Sequence, residues 1–511
     1  MKILVEDNRI INKNSESLLI KDTQTSNAHS NSRIIIKEVK YRWVIFVCFC
    51  CLTFSNAIQW VTFSPIADDL ISKLEYNSIL IDTFGLVFLY VYPFIFPIAA
   101  YLIDNKSPKY GLIIAALFNI IGSILKIFIN YNLYLSLFGQ ILAAISQPFI
   151  ISSCAKIANI WFRNETRTLI TSLFVLSNII GSLFGIIFNT FIFSSTFTST
   201  SNYRDELFYY LLYESILIFI LSLPTVFLFK SKPKYAPSIS QNNQITPKFL
   251  DEFGLLFKNK NFIFLLFIIS IIVGYFNMIG VILSQYMAFY NINRDDTSII
   301  GGVGNLLGII GSIIGSVIID KYKNYRIIYI IFLSIGCSIQ LILSFLLEFL
   351  PASYNYITIM ISFFLILLSV VPCIGIGMDY ACEITYPVGE MFSNGLIMSG
   401  GQLVGIAEVY IADFAIKENK VYIINIMISI TFIISILSIF LLKEDLKRNN
   451  MEHSEAIDNP ERKKEIDFSD GEDEEKENRK DENIGNQNIE TSNDENFIIK
   501  SSDLKSNNND L

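Results

Sequence analysis

Histidine is almost missing from this chain. There are two in 511 residues, His29 and His453, and both fall in polar end segments. No histidine is therefore placed to ligate haem iron or relay protons within a hydrophobic stretch. Charge is scarce as well: 17% of residues are charged and 52% hydrophobic, and the mean hydropathy is +0.47. Soluble domains carry more charge and less apolar content. No glycine-rich phosphate loop occurs, which argues against ATP-driven chemistry. The seven cysteines (Cys48, Cys50, Cys51, Cys154, Cys337, Cys373 and Cys382) all lie in apolar runs. They read as small packing residues, not as disulfides or metal ligands. Residues 1–42 show no short apolar core followed by a cleavage site, so the first long apolar run is expected to act as the insertion signal. Nothing points to an enzyme, a cofactor, a bound metal or nucleic acid.

What the chain has in quantity is long apolar runs. The first, residues 43–66, carries no charge and is long enough to cross a bilayer as a helix, which takes about 20 residues. Asn56, Gln59 and Trp60 interrupt it at spacings that share one helical face. Polar groups in hydrocarbon need partners or water. That face is either an interhelical hydrogen-bond patch with an interfacial tryptophan or part of a binding site. Further runs lie near 79–103, 111–130, 133–158, 166–193 and 208–229, then 262–287, 298–319, 327–349, 355–382, 391–416 and 421–442. The expected fold is an all-α membrane protein of twelve spanning helices in two six-helix halves. The expected division is a disordered N-terminal tail (1–42), a first half (43–229), a polar linker (230–260), a second half (261–442) and a disordered acidic tail (443–511). Lys106, Lys109, Lys156, Arg163, Arg167, Lys321, Lys323, Arg326, Lys443, Lys447 and Arg448 crowd into alternate loops. The positive-inside rule assigns those loops, the linker and both termini to the cytosol, with the plasma membrane as the expected residence.

The two halves echo each other. Ala100-Tyr-Leu-Ile-Asp104 closes the second span and Ser316-Val-Ile-Ile-Asp320 closes the eighth, each followed by basic residues. Asn178-x-x-Gly181 in the fifth span is echoed by Gln402-x-x-Gly405 in the eleventh. The aspartate loops look like the Gly-x-x-x-Asp-basic signature of the major facilitator superfamily, with Ala100 and Ser316 in place of glycine. Such repeats build a site at the midplane between two halves.

Candidate site residues follow from polar groups at mid-span. Gln147 lies in the fourth span, Tyr275 and Asn277 in the seventh and Gln402 in the eleventh. With Asn56, Gln59 and Trp60 they make a substrate-binding set suited to a small polar or cationic solute. A quaternary ammonium has no proton to donate and is held by aromatic faces; its hydroxyl, or a primary amine, would bond Gln147 or Gln402. Alternatively each amide simply bonds a neighbouring helix, at about 0.6 kcal/mol apiece. Asp379 and Glu383, four apart in the tenth span, would bind protons, steer cations or serve as gate partners for loop arginines and lysines. Asp104 and Asp320 would latch the cytosolic side. Glu408 is a further intramembrane acid, and Lys126 either pairs or snorkels.

At these residues the chain resembles the feline leukaemia virus subgroup C receptor-related transporters, within the major facilitator superfamily. The resemblance rests on Asn56-Ala-Ile-Gln-Trp60 with Phe63-Ser64, Ile95-Phe-Pro97, Gln147-x-Phe149, Ile157-Ala-x-x-Trp161-Phe162, Glu383-Ile-Thr-Tyr-Pro387 and Ser393-x-Gly395-Leu396 leading to Gln402. It covers roughly Tyr41 to Leu442. It implies choline or ethanolamine as the solute, with haem an earlier assignment, Trp60 stacking on the ammonium and Gln147 and Gln402 lining the cavity. The family tends to carry a tyrosine where this chain has Asn277. The expected activity is movement of a small organic solute through the bilayer by alternating access. The alternatives are proton-coupled movement of haem or another metabolite, and a non-transporting receptor or scaffold whose acidic tail binds cytosolic partners.

Overall fold

In hydrocarbon a backbone must satisfy its own N–H and C=O groups, so long apolar runs are driven into helix. The computed structural model describes residues 39–192, 200–235, 237 and 249–451. Among them are twelve helices long and apolar enough to cross a bilayer. They belong to α1 (Arg42–Val61), α2 (Ser78–Ala100), α3 (Pro108–Lys126), α4 (Leu133–Ile151), α5 (Arg167–Ile192), α6 (Thr200–Leu228), α7 (Lys260–Phe289), α8 (Arg294–Tyr322), α9 (Tyr325–Phe349), α10 (Asn355–Thr385), α11 (Glu390–Lys417) and α12 (Tyr422–Leu441). The number and the six-and-six division match the sequence reading. The two tails lie outside the described residues, except for Val39–Tyr41 and the stretch Lys443–Met451.

Irregular turns fall where they serve the site. α2 runs on into a wider π-helical turn, Tyr101–Lys106, which carries Asp104. The run expected over 133–158 is broken: α4, with Pro148 inside it, ends at Ile151, and a short helix, Cys154–Trp161, follows two turn residues. Within the linker, Phe249–Lys258 is helical. Outward faces are greasy, with Phe94 at 78% and Phe227 at 73% exposure, as a lipid-facing surface requires.

The halves pack alike. In the first, α1 lies along α5 and α4 against α2 and α3; in the second, α7 lies along α11 and α10 against α8 and α9. The seam between halves is equally symmetric, with α2 against α11 and α5 against α8. Two glycines permit the close approaches that hold each half together. A side chain at Gly181 would strike the Phe54 carbonyl of α1, and a Cβ at Gly405 would sit 3.1 Å from Asn277 Cβ of α7. Lys126 pairs and does not snorkel. Its Nζ lies 2.8 Å from Glu214 Oε1 and 2.9 Å from Thr62 Oγ1, with both charged side chains buried inside the first half.

Candidate functional site

Trp60 stands in the seam. It packs on Val87, Phe88 and Leu89 of α2 and Ala143 and Ala144 of α4, with Ile406 of α11 in the same cluster. A Cβ at Gly280 of α7 would lie 3.7 Å from the far edge of its indole. The ring thus stands among elements of both halves and is only partly buried. Within the second half, Asn277 Nδ2 donates to Gln402 Oε1 at 3.0 Å, joining α7 to α11. Gln147 on α4 is 8% exposed, and its Oε1 has no hydrogen-bond partner among the described residues.

The remaining sequence candidates part company from these. Asn56 Nδ2 donates to Asn119 Oδ1 (3.1 Å), Ala143 O (3.0 Å) and Ser146 Oγ (2.7 Å). Gln59 Nε2 donates to Asn119 O (2.9 Å) and Oδ1 (2.7 Å). Both residues are fully buried among α1, α3 and α4, so their amide nitrogens stitch the first half together instead of lining a chamber with Trp60. The physical reason is angular: Gln59 and Trp60 are adjacent in sequence and point about 100° apart on a helix. Tyr275 also turns away. Its ring meets Phe432 of α12 edge-on at 5.2 Å and lines the interior of the second half with Tyr286 and Asn425. It stands two positions before Asn277, which on an unbroken α7 sends the side chains to different sides.

A second cluster seals the seam at the face where the basic loops gather. Asp320, at the end of α8, accepts from Thr168 N (3.0 Å) and Leu169 N (2.8 Å) in the first turn of α5. Asp104 accepts from Phe392 N (3.0 Å) in the first turn of α11. Each half's repeated aspartate therefore caps a helix of the other half, where free N–H groups and the helix dipole favour a negative charge. Lysines complete both corners. Lys323 Nζ is 3.2 Å from Asp320 Oδ1; Lys156 Nζ is 3.3 Å from Asp104 Oδ1 and 3.5 Å from Glu390 Oε2.

Between the corners, Asp379 and Glu383 of α10 are fully buried and paired with arginines. Arg448 Nη2 lies 2.7 Å from Asp379 Oδ1 and 2.7 Å from Glu383 Oε1, and Arg167 Nη2 lies 3.1 Å from Glu383 Oε1. Thr168 Oγ1 (2.6 Å) and Tyr325 OH (2.7 Å) donate to Asp379 Oδ2. Of the roles open to these acids, pairing with Arg167 and Arg448 is the geometry that gate partners would have. Arg167 and Lys156 entered the sequence reading as topology charges and among the basic loop residues expected to latch that face. Arg448 lies beyond α12, in what composition assigns to a polar tail, yet it is 1% exposed. Only its position shortly after the last span hinted at it.

One acid of the seal lies outside the spans. Glu252, on the linker helix, accepts from Gly389 N at 2.9 Å, next to Asp104. Burial pushes its carboxyl up to about 7; the Gly389 hydrogen bond opposes the shift, nearby Asp104 reinforces it and Lys156 again opposes it. No group of three or more metal-ligating side chains is present among the described residues.

Known proteins resemble this arrangement. Residues 45–407 match the family model described as Major Facilitator Superfamily. The chain is 26% identical over 430 residues to an uncharacterized MFS-type transporter of Caenorhabditis elegans, covering 81% of this chain and 71% of that protein. It is 26% identical over 421 residues to the choline/ethanolamine transporter flvcr2a of Danio rerio (80% and 87% covered). Over 422 residues it is 26% identical to the choline/ethanolamine transporter FLVCR1 of Felis catus (80% and 74%). Among solved structures, the transporter FucP in its outward conformation superposes with a TM-score of 0.62 at 14% identity, covering 80% of this chain and 100% of that one. A bacterial homologue of the iron transporter ferroportin in an outward-facing state gives 0.61 at 10% identity, covering 79% and 99%.

Proposed function

Because this chain belongs to the Major Facilitator Superfamily, we propose that the small organic solute it carries through the membrane is choline- or ethanolamine-like. The observation that carries this reading is an indole set in the seam, with buried uncharged amides on helices of both halves: Gln147 on α4 of the first half, Asn277 on α7 and Gln402 on α11 of the second. An indole face attracts an ammonium by about 0.5–2 kcal/mol without needing a proton from it. The amides are left to bond a hydroxyl or a primary amine. The relatives named as choline/ethanolamine transporters support the same solute class.

In this reading the basic face is cytosolic, both termini lie in the cytosol and the membrane is the plasma membrane. The acidic end segment would meet any protein partner there. The solute reaches Trp60 from the far face while the Asp104, Asp320 and Arg448 contacts hold the cytosolic face shut. The halves then rock, those contacts part and the solute leaves. Uptake of radiolabelled choline and ethanolamine in a host lacking its own transporters tests this. Saturable uptake above vector controls is expected; transport of neither amine by correctly inserted protein refutes the substrate assignment.

A further inference from the structure

The linker helix, Phe249–Lys258, is separated from α7 by Asn259 alone. One side of it is fixed to the seal. Glu252 and Leu256 are buried, Glu252 accepts from Gly389 N, and the Phe253 ring meets Phe392 of α11 edge-on at 4.5 Å. The other side carries Leu255, Phe257 and Lys258, all exposed. Beside it, where α7 starts and α12 ends, lies a cavity of about 480 Å³. That is within the range of small-ligand sites, about 300–1,000 Å³.

Four lysines reach this cavity from three elements: Lys258 from the linker helix, Lys260 from α7, and Lys443 and Lys447 from the segment after α12. None of the described residues lining it is acidic. Glu444 is turned to α9, where its Oε1 accepts from Arg326 N at 3.3 Å, and Asp251 and Asp445 are exposed outside the lining. Four like charges around one hollow repel each other, so the arrangement favours an anion that carries several charges at once. The remaining wall is apolar, built by Leu255, Phe264 and Leu441. One turn further into the bilayer, Phe267 on α7 and Leu437 on α12 are exposed. A polyanion at the rim with hydrocarbon beneath it is the outline of a phospholipid. A soluble acidic peptide would leave the apolar strip uncovered.

We propose that this cavity binds a phospholipid whose headgroup carries phosphomonoesters, from the leaflet at the basic face, and that the bound lipid steadies the seal. Lys447 immediately precedes Arg448, and Lys443 N donates to Asn261 Oδ1 of α7 at 3.1 Å. A headgroup gripped by Lys443 and Lys447 on one wall and by Lys258 and Lys260 on the other ties the segment after α12 to the linker helix and α7. That segment delivers Arg448 to Asp379 and Glu383. With the lipid in place the lysine charges are neutralised and Arg448 stays seated; without it they push the walls apart. Each phosphomonoester brings a charge of about −1.5 to −2, so two of them balance the four lysines, whereas a singly charged headgroup leaves most of the repulsion standing. The site does not depend on which solute is carried.

The test uses the full-length protein in nanodiscs of phosphatidylcholine alone, with phosphatidylinositol bisphosphate, or with phosphatidylserine at matched total charge. Two quantities are read: the bisphosphate lipid retained by the protein in native mass spectrometry, and maleimide labelling of Cys382 as the sole cysteine. The bisphosphate lipid is expected to be retained and to lower labelling several-fold, and phosphatidylserine to do much less. A lysine near anionic lipid is worth roughly fivefold in affinity, so Lys258→Gln with Lys260→Gln should weaken retention about thirtyfold and abolish the effect on labelling. That pair leaves the segment bearing Arg448 untouched; Lys443→Gln with Lys447→Gln should give the same loss from the other wall. No retention, equal protection by phosphatidylserine, or retention unchanged in either paired variant overturns the proposal. Protection by soluble inositol trisphosphate without the lipid overturns it in favour of a free phosphate ligand. Retention that appears only once residues 452–511 are removed overturns it in favour of the acidic tail as occupant. Lysine-dependent retention with labelling unaltered overturns the hold on Arg448.

Discussion

Replacing Arg448 with glutamine should loosen the basic face more than any other single change there. The guanidinium is 1% exposed and lies 2.7 Å from both Asp379 Oδ1 and Glu383 Oε1, with Glu390 Oε1 at 3.6 Å. Removing one partner of a buried ion pair costs about 3–5 kcal/mol, because the other partner keeps its charge without compensation. Arg167 remains within 3.1 Å of Glu383 and partly neutralises the acids, so the lower end applies, roughly 3 kcal/mol or about a hundredfold. If Arg448 bolts the closed state, that energy appears as a shift toward a conformation open at this face. Cys382, buried between Asp379 and Glu383 at 2% exposure, is a native reporter. In a background where it is the sole cysteine, maleimide labelling from the basic face should rise steeply in Arg448→Gln and fall back in Arg448→Lys. Unchanged labelling, in protein whose melting temperature is also unchanged, would refute the reasoning.

Other perturbations separate gate from scaffold. Glu252 has its carboxyl pushed up to about 7 in the closed state, so that state binds a proton more tightly than an open state with the group in water. Acid on the basic face should favour closure as pH falls through 7, by at most about 1.4 kcal/mol per unit down to the ordinary carboxyl range. Uptake should slow accordingly, and Glu252→Gln should flatten the profile; a profile identical in the variant would contradict this. Asn56→Leu should lower thermal stability in detergent by about 1 kcal/mol while leaving the KM for choline unaltered. A raised KM with unchanged stability would return Asn56 to the binding site.

Much of this protein is readable from its letters because the bilayer leaves few options. Twelve apolar runs become twelve helices, and Asp104 and Asp320 announce a repeat whose seal contacts prove equivalent, each capping a helix of the opposite half. What escapes is azimuth. Asn56, Gln59 and Trp60 share a broad face in sequence, yet α1 is flanked by partners on several sides, so two of the three side chains are spent on α3 and α4. Tyr275 and Asn277 diverge for the same reason. Arg448 escapes differently: polar composition around it describes a tail, and only the fold reveals that this segment crosses beneath the seam to reach Asp379 and Glu383.

The most direct test of the account is choline uptake by Trp60→Ala and Trp60→Phe at matched surface expression. An ammonium held on the indole face predicts that KM rises several-fold to about thirtyfold in Trp60→Ala and recovers substantially in Trp60→Phe. Equal KM values in both variants and the unaltered protein would contradict it.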